Sequence, residues 1–383
     1  MRTCLVVVLL FTIIMTSTSF AQKLEEPEIF TDILTLERTI GGESSELSGE
    51  FILVRPRSMD VSPAGDIVVF DENRLKVYST DGSGSNVFGG LGDGPGEFSR
   101  LSQHFVGPTG MVTVLDLTGI KMDEWHLSLQ NNPNKSYNVF DNKGEFIYKR
   151  RIGNGLHFED NFSEAENIQF VSMNRLYAIS KTEMIYEVFL SKYLSPQLLN
   201  RVIIYENNSE CIEIFKGDGF FNPSDMSGAF RINNLLWEVT PDNRIVYINT
   251  LEDRLEPDGE SEYFIHINEI GKDNNRIIRY IYVPIPDNNE RTNKYKTKKY
   301  NPAAEWLKVD GRYAFVFTFK ANHNDPILTD VFDINTGEYL SSVYFPFVPA
   351  CIRNGLAYEF YPGTSRNYAY ISIYRIDPSV YGK

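Results

Sequence analysis

Apolar and polar residues alternate along this chain with a period of two, in short bursts divided by turn residues. Gly65-Asp66-Ile67-Val68-Val69-Phe70-Asp71 is followed 45 residues later by Gly110-Met111-Val112-Thr113-Val114-Leu115-Asp116. A turn residue leads into a strand in both copies. Each copy is followed by a second strand that ends in an aromatic and a glycine-containing turn. These are Leu75–Tyr78 before Asp81-Gly82, and Tyr137–Phe140 before Asn142-Lys143-Gly144. Helical periodicity is absent over any useful length.

Weaker copies continue. Strands are expected at 175–179, 185–189 and 201–205, then at 236–239, 244–248, 263–267 and 277–282. A fifth group is expected at 306–309, 313–317 and 329–333, with a turn at Asn335-Thr336-Gly337. The last group holds three strands only, at 350–352, 356–360 and 368–374, whereas a spare strand, Ile33–Ile40, stands near the other end. Short-strand repeats at this spacing predict propeller blades. The expected fold is all-β, a six-bladed β-propeller, with the ring closed by pairing the N-terminal strand with the C-terminal blade. Closure removes the open edge of an incomplete circle.

The first 21 residues break the pattern. Arg2 precedes a short apolar run, Cys4–Met15, and Ser19 and Ala21 have the spacing of a small-residue cleavage site. The run is too short to span a bilayer. The reading is a signal peptide over 1–21, cleaved near Ala21, with one propeller domain over 22–383. The expected location is periplasmic or secreted, with no membrane insertion. Composition adds few constraints. The formal net charge of −14 disfavours a nucleic-acid partner. One basic run, Arg291 to Lys299, reads as a solvated loop or a protected strand edge. Cys211 and Cys351 are expected unpaired, on opposite sides of the ring. Long inserts are expected at 117–136, with Trp125 and His126, and at 206–234, with Phe215, Phe220, Phe221 and Phe230. The simplest reading of those phenylalanines is packing against the blades.

Gly89-Gly90-Leu91-Gly92-Asp93-Gly94-Pro95-Gly96-Glu97-Phe98 has the look of a phosphate loop but fails the tests for one. It contains no Gly-x-Gly-x-x-Gly starting at Gly90 or Gly92, and Glu97-Phe98 stands where Lys-Ser/Thr would be needed. The segment reads as a glycine-permitted turn between blades, anchored by Phe98. Gly94, Pro95, Gly96, Glu97 and Phe98, following a first blade of this type, resemble a family of exported bacterial six-bladed propellers related to NHL-repeat and TolB-like proteins. That resemblance implies a six-bladed ring closed by strands from both ends, and no settled activity.

Some six-bladed propellers are enzymes, and resemblance to them implies a metal in the central channel. Here the five histidines, His104, His126, His157, His266 and His323, form no local metal motif. Asp71 and Asp116, which recur at strand ends, read as turn formers. No nucleophile elbow or calcium loop is present. The expected function is therefore a binding or interaction scaffold, a monomer, for a polar ligand such as a glycan or peptide, or for a protein partner. No cofactor is expected; the alternative is a hydrolase or lyase with a central divalent metal. The residues expected near the channel mouth, one per blade, are Arg57, His104, Gln169, Trp237, Glu305 and Arg353. The bland reading of each is a hydrogen-bonded channel filler.

Overall fold

The computed structural model describes residues 29–43, 47–98, 103–116, 136–151, 168–192, 195–208, 210–220, 235–255, 261–272, 274–283, 302–318 and 326–383. Six antiparallel sheets follow one another along the chain and form a six-bladed β-propeller. Blade one is Pro56–Val61, Ile67–Asp71, Arg74–Tyr78 and Gly84–Phe88. Blade two is Gln103–Val106, Val112–Asp116, Ser136–Phe140 and Phe146–Arg151. Blade three is Ile168–Ala178, Glu183–Lys192, Ser195–Asn207 and Glu210–Phe220. Blade four is Leu235–Val239, Arg244–Asn249, Ser261–Glu269 and Asn275–Tyr282, with the short strand Arg254–Leu255 beside the third. Blade five is Ala304–Asp310, Tyr313–Thr318, Ile327–Asp333 and Tyr339–Phe345. Among the described residues the only helical pieces are the 3-10 turns Gly49–Phe51 and Pro378–Tyr381.

Blade six confirms the closure expected from the sequence. Cys351–Arg353, Leu356–Tyr361 and Tyr370–Ile376 are completed by Leu34–Gly41, which pairs antiparallel with the third strand from Leu34↔Ile376 to Gly41↔Tyr370. The sequence pattern missed a second tie. Ile29–Phe30 adds a parallel strand to the outer edge of blade five. The N-terminal segment therefore holds two neighbouring blades at once.

The 206–234 insert needs correction. Residues 210–220 are not a loop but the fourth strand of blade three, paired with the third from Asn207↔Glu210 to Leu198↔Phe220. Its glycines, Gly217 and Gly219, and its charges hid the period of two. Phe215 lies on this strand, half-buried, with its ring 5.1 Å from that of Tyr247 in blade four. Trp125, His126, His157, Phe221, Phe230, the basic run and His323 lie outside the described residues. Cys211 sits half-buried on the outermost strand of blade three and Cys351 buried on the innermost strand of blade six, both as free thiols.

Sheets stack because both faces of each blade are apolar. The core is a series of seams, each filled by side chains from two neighbouring blades. Val68, Phe70 and Leu75 meet Val106, Val112 and Phe140 across the first seam. Tyr177 and Ile185 meet Trp237 and Ile245 across the third. Apolar packing has no direction, and polar side chains fix the blade-to-blade geometry. Asp310 accepts from Asn354 N, Gly355 N and Tyr381 Oη, joining blade five to blade six. Thr109 Oγ1 donates to Ile179 O, and Gly107 allows the Ala178 carbonyl to approach so closely that a Cβ would lie 2.1 Å from it. Asp71 is no turn former. It is fully buried, and its carboxylate accepts from Val54 N, Arg55 N and Lys76 Nζ, pinning the chain as it enters blade one. Buried carboxylates persist when paired and hydrogen-bonded in this way.

One seam carries a pH dependence. Asp330 in blade five is buried and accepts from Tyr263 Oη of blade four at 3.1 Å and from Ser342 Oγ at 2.6 Å, and among the described residues no cation pairs with it. Burial pushes its pKa up to about 6, against the lowering effect of those two hydrogen bonds. A carboxyl raised in the folded state binds its proton more tightly there than in the unfolded chain. Its contribution is complete below about pH 4 and is lost as pH rises through 6. Asp330→Asn should thus flatten the stability curve between those values. Denaturant titrations of both proteins at pH 4 and 7 should show a difference of up to about 3 kcal/mol; identical slopes would refute it. Closure is tested by removing residues 29–41. The truncated protein should expose an edge in blade six and aggregate or unfold without cooperativity, and unchanged melting would show that the pairing is dispensable.

Candidate functional site

Each inner strand is the first of its blade, so all six run the same way through the ring: Pro56–Val61, Gln103–Val106, Ile168–Ala178, Leu235–Val239, Ala304–Asp310 and Cys351–Arg353. The six residues expected at the channel fall one on each of these strands, at different heights along them. Arg57, Gln169 and Glu305 stand second in their strands, at the entry end. Arg57 is exposed and Glu305 half-buried. Gln169 pairs with Ser191 in the ladder of blade three. Arg353 stands last in its strand, at the exit end.

His104 and Trp237 turn into seams instead. His104 is buried between blades one and two, with Ser58 Oγ 2.8 Å from Nδ1 and Val68 O 3.1 Å from Nε2. A carbonyl can only accept, so Nε2 carries the proton and Nδ1 accepts from the serine. Burial lowers the imidazole pKa to about 4, and the ring is neutral at pH 7. Trp237 donates from Nε1 to Glu187 Oε2 at 2.9 Å, while Arg201 Nε holds the other oxygen of that buried carboxylate at 2.5 Å. Tyr177 meets the indole edge-on at 5.5 Å. These are packing roles.

Instead, a ring of charge gathers toward the exit end of the channel. It consists of Asp60, Arg175, Glu238, Lys308 and Arg353, from the inner strands of blades one, three, four, five and six. Three of them also grip the next blade. Asp60 Oδ2 accepts from Val106 N at 2.9 Å, Arg175 Nη1 donates to Trp237 O at 2.6 Å and Lys308 Nζ donates to Ala350 O at 2.9 Å. Glu238 lies between two cations, 3.6 Å from Arg175 and 3.7 Å from Lys308. Arg353 completes the circle toward blade one, where its charge and that of Asp60 act on each other. Its Nε is enclosed and has no hydrogen-bond partner among the described residues.

Asp60 is half-buried. Burial raises its pKa, and the Val106 and Val61 N–H groups and the Arg353 charge oppose the rise. Of these five residues, only Arg353 was legible in advance. The others stand as single charges among apolar neighbours in strands such as Leu235-Leu236-Trp237-Glu238-Val239, where polar residues normally mark the solvent side. The signal available was their recurrence near the exit of successive inner strands.

Among the described residues no three His, Cys, Asp or Glu side chains group closely enough to hold a metal ion. Three cations in one throat also oppose a divalent ion there. The glycine-rich segment folds back on its own carboxylate. Gly94 N donates to Glu97 Oε2 at 2.9 Å, and Glu97 N donates back to Gly94 O at 3.0 Å. Phe98 is fully buried beside Phe70, rings 5.6 Å apart, between blades one and two. Pro95 is exposed at the tip.

No family model matches the chain, and no curated protein matches it. Solved structures do. A candidate exported protein from Bacteroides fragilis is 11% identical, with 90% of this chain and 96% of that one covered and a TM-score of 0.49. A member of the duf4221 family from Bacteroides vulgatus is 10% identical, covering 90% and 98%, with a TM-score of 0.43. A gluconolactonase from Xanthomonas campestris is 8% identical, covering 84% and 86%, with a TM-score of 0.39. Likenesses at this level carry neither an activity nor a ligand to this chain.

Gly96 gives a test of the structural role of the turn. It has φ of 75° and is buried, with Phe140 Cε1 3.4 Å from where a Cβ would stand. Gly96→Val forces a β-branched residue into the left-handed region and should cost about 1–2 kcal/mol. Chemical denaturation measures this, and an unchanged midpoint would remove the strain argument.

Proposed function

We propose that this protein is an exported binding scaffold that takes a polar ligand into the exit end of its channel. The observation that carries the reading is the convergence of Asp60, Arg175, Glu238, Lys308 and Arg353 from five separate blades. Charges confined to a narrow low-dielectric throat keep a field that exposed charges lose to water. The backbone around them is rigid, because each blade is clamped to the next. A preformed concave site with a few fixed polar groups suits a small polar ligand or the polar tip of a larger partner.

Export rests on the N-terminal pattern of Arg2, the apolar run and Ala21. The competing reading, metal-dependent hydrolysis or lysis, draws no support from the donor set of the throat. The test is a thermal-shift screen with neutral and acidic oligosaccharides and short peptides, with and without a chelator. At a hundredfold excess over Kd, a true ligand should raise Tm by roughly 3–6 °C. The rise should survive the chelator and differ from wild type in Glu238→Gln, which removes one charge from the throat. Stabilisation by divalent cations alone would replace this reading with the metal one.

A further inference from the structure

The donors and charges in the throat specify the ligand further. This step rests on the binding role proposed above. Three cations, Arg175, Lys308 and Arg353, face two carboxylates, Asp60 and Glu238. Among these five groups the formal balance is one positive charge, inside a chain whose formal net charge is −14. Asp310, whose charge also reaches Arg353, is already met by Asn354 N, Gly355 N and Tyr381 Oη. The carboxylates are largely committed. Asp60 receives Val106 N on one oxygen and Val61 N on the other. Glu238 lies within 4 Å of both Arg175 and Lys308. Of the cations, Arg175 and Lys308 each spend a donor on a backbone carbonyl of the next blade.

Arg353 differs from the other two. It ends the inner strand of blade six, beyond Cys351 and Ile352, which are buried. Among the described residues no ion pair within 4 Å and no hydrogen bond is formed by its guanidinium, and Nε is sealed from solvent. Nη1 and Nη2 are neither buried nor bonded among the described residues, so their donors stay open to an acceptor that arrives from solvent. The charge of Asp60 acts on it, but both Asp60 oxygens already accept from backbone N–H groups.

We propose that the throat binds the carboxylate of a small organic monoanion, with Arg353 as its principal partner and Lys308 beside it. Geometry favours a carboxylate, since the planar guanidinium fork matches its two oxygens. Charge favours it as well. One carboxylate neutralises the local surplus, whereas a phosphate dianion would leave the half-buried site negative next to Asp60 and Glu238. Carboxylates of this kind occur on uronic acid sugars and at peptide C-termini.

Isothermal titration separates these sources and tests the idea. The probes are glucuronate against glucose, N-acetyl-Ala-Ala against its C-terminal amide, and inorganic phosphate. The expected result is that at least one carboxylate binds tenfold or more tightly than its neutral counterpart and than phosphate. Whichever pair shows the difference identifies the source. Arg353→Met should weaken that carboxylate at least tenfold, and Lys308→Met provides a second variant should the first fail to fold. The carboxylate affinity should also fall as salt rises, while a neutral probe's should not. Equal binding of acid and neutral partner, or preference for phosphate, would overturn the carboxylate assignment while leaving a polar-ligand scaffold standing. Indifference of carboxylate binding to both substitutions would place the ligand elsewhere. No heat with any probe, together with no hit in the wider thermal screen, would remove the binding role itself.

Discussion

Everything in this protein depends on one strand pairing between the two ends of the chain. A propeller blade cannot bury both its faces alone. It needs a neighbour on each side, and only a closed ring gives every blade two. Here the ring closes when Leu34–Gly41 joins Tyr370–Ile376 in blade six. The joint is a backbone ladder over most of a strand, with Ile40 buried against Ile371 in the core shared with blade one. Ile29–Phe30 extends the same tie to blade five. Opening the joint would expose an edge and, with it, the faces of two blades.

Closure forces the blades together but does not say at what angle or height they meet. That is the task of the buried polar residues. At seam after seam a side chain of one blade bonds a backbone group or a fixed partner of the next: Asp60 to Val106 N, Arg175 to Trp237 O, Lys308 to Ala350 O, Asp310 to Gly355 N. Each bond contributes on the order of 1 kcal/mol net, but leaving such a group unmet costs more. A blade that slipped by one residue would strand all of them. Three of the five charged residues of the throat, Asp60, Arg175 and Lys308, thus also set the register of the ring, so the proposed ligand site and the scaffold share side chains. A site built this way is rigid, which suits recognition of a fixed shape.

The same geometry explains how residues on equivalent strands part company. Inner-strand side chains alternate between the two neighbouring seams, and only those near a mouth reach the channel. His104 and Trp237 turn into seams and are used up by Ser58 and Glu187. Glu238, one residue after Trp237, lies on the other side and reaches Arg175 and Lys308. A shift of a single position decides between core and channel.

The sequence by itself determined the fold class, the blade count and the closing strand. Those follow from period-two alternation and the glycine turns between strands, which are local properties. The six residues it proposed for the channel each fall on an inner strand, although it predicted no strand at 56–61 or 103–106. It missed the outer strand at 210–220, where glycines and charges blur the alternation, and the two-residue strand at Ile29–Phe30, too short to show any. Only the tertiary structure decided which side chains meet in the throat. Asp60 and Arg353 are almost three hundred positions apart, and they are brought together by closure. No spacing rule links them, because the distance between residues on different blades is set by packing around the ring rather than by the chain that joins them.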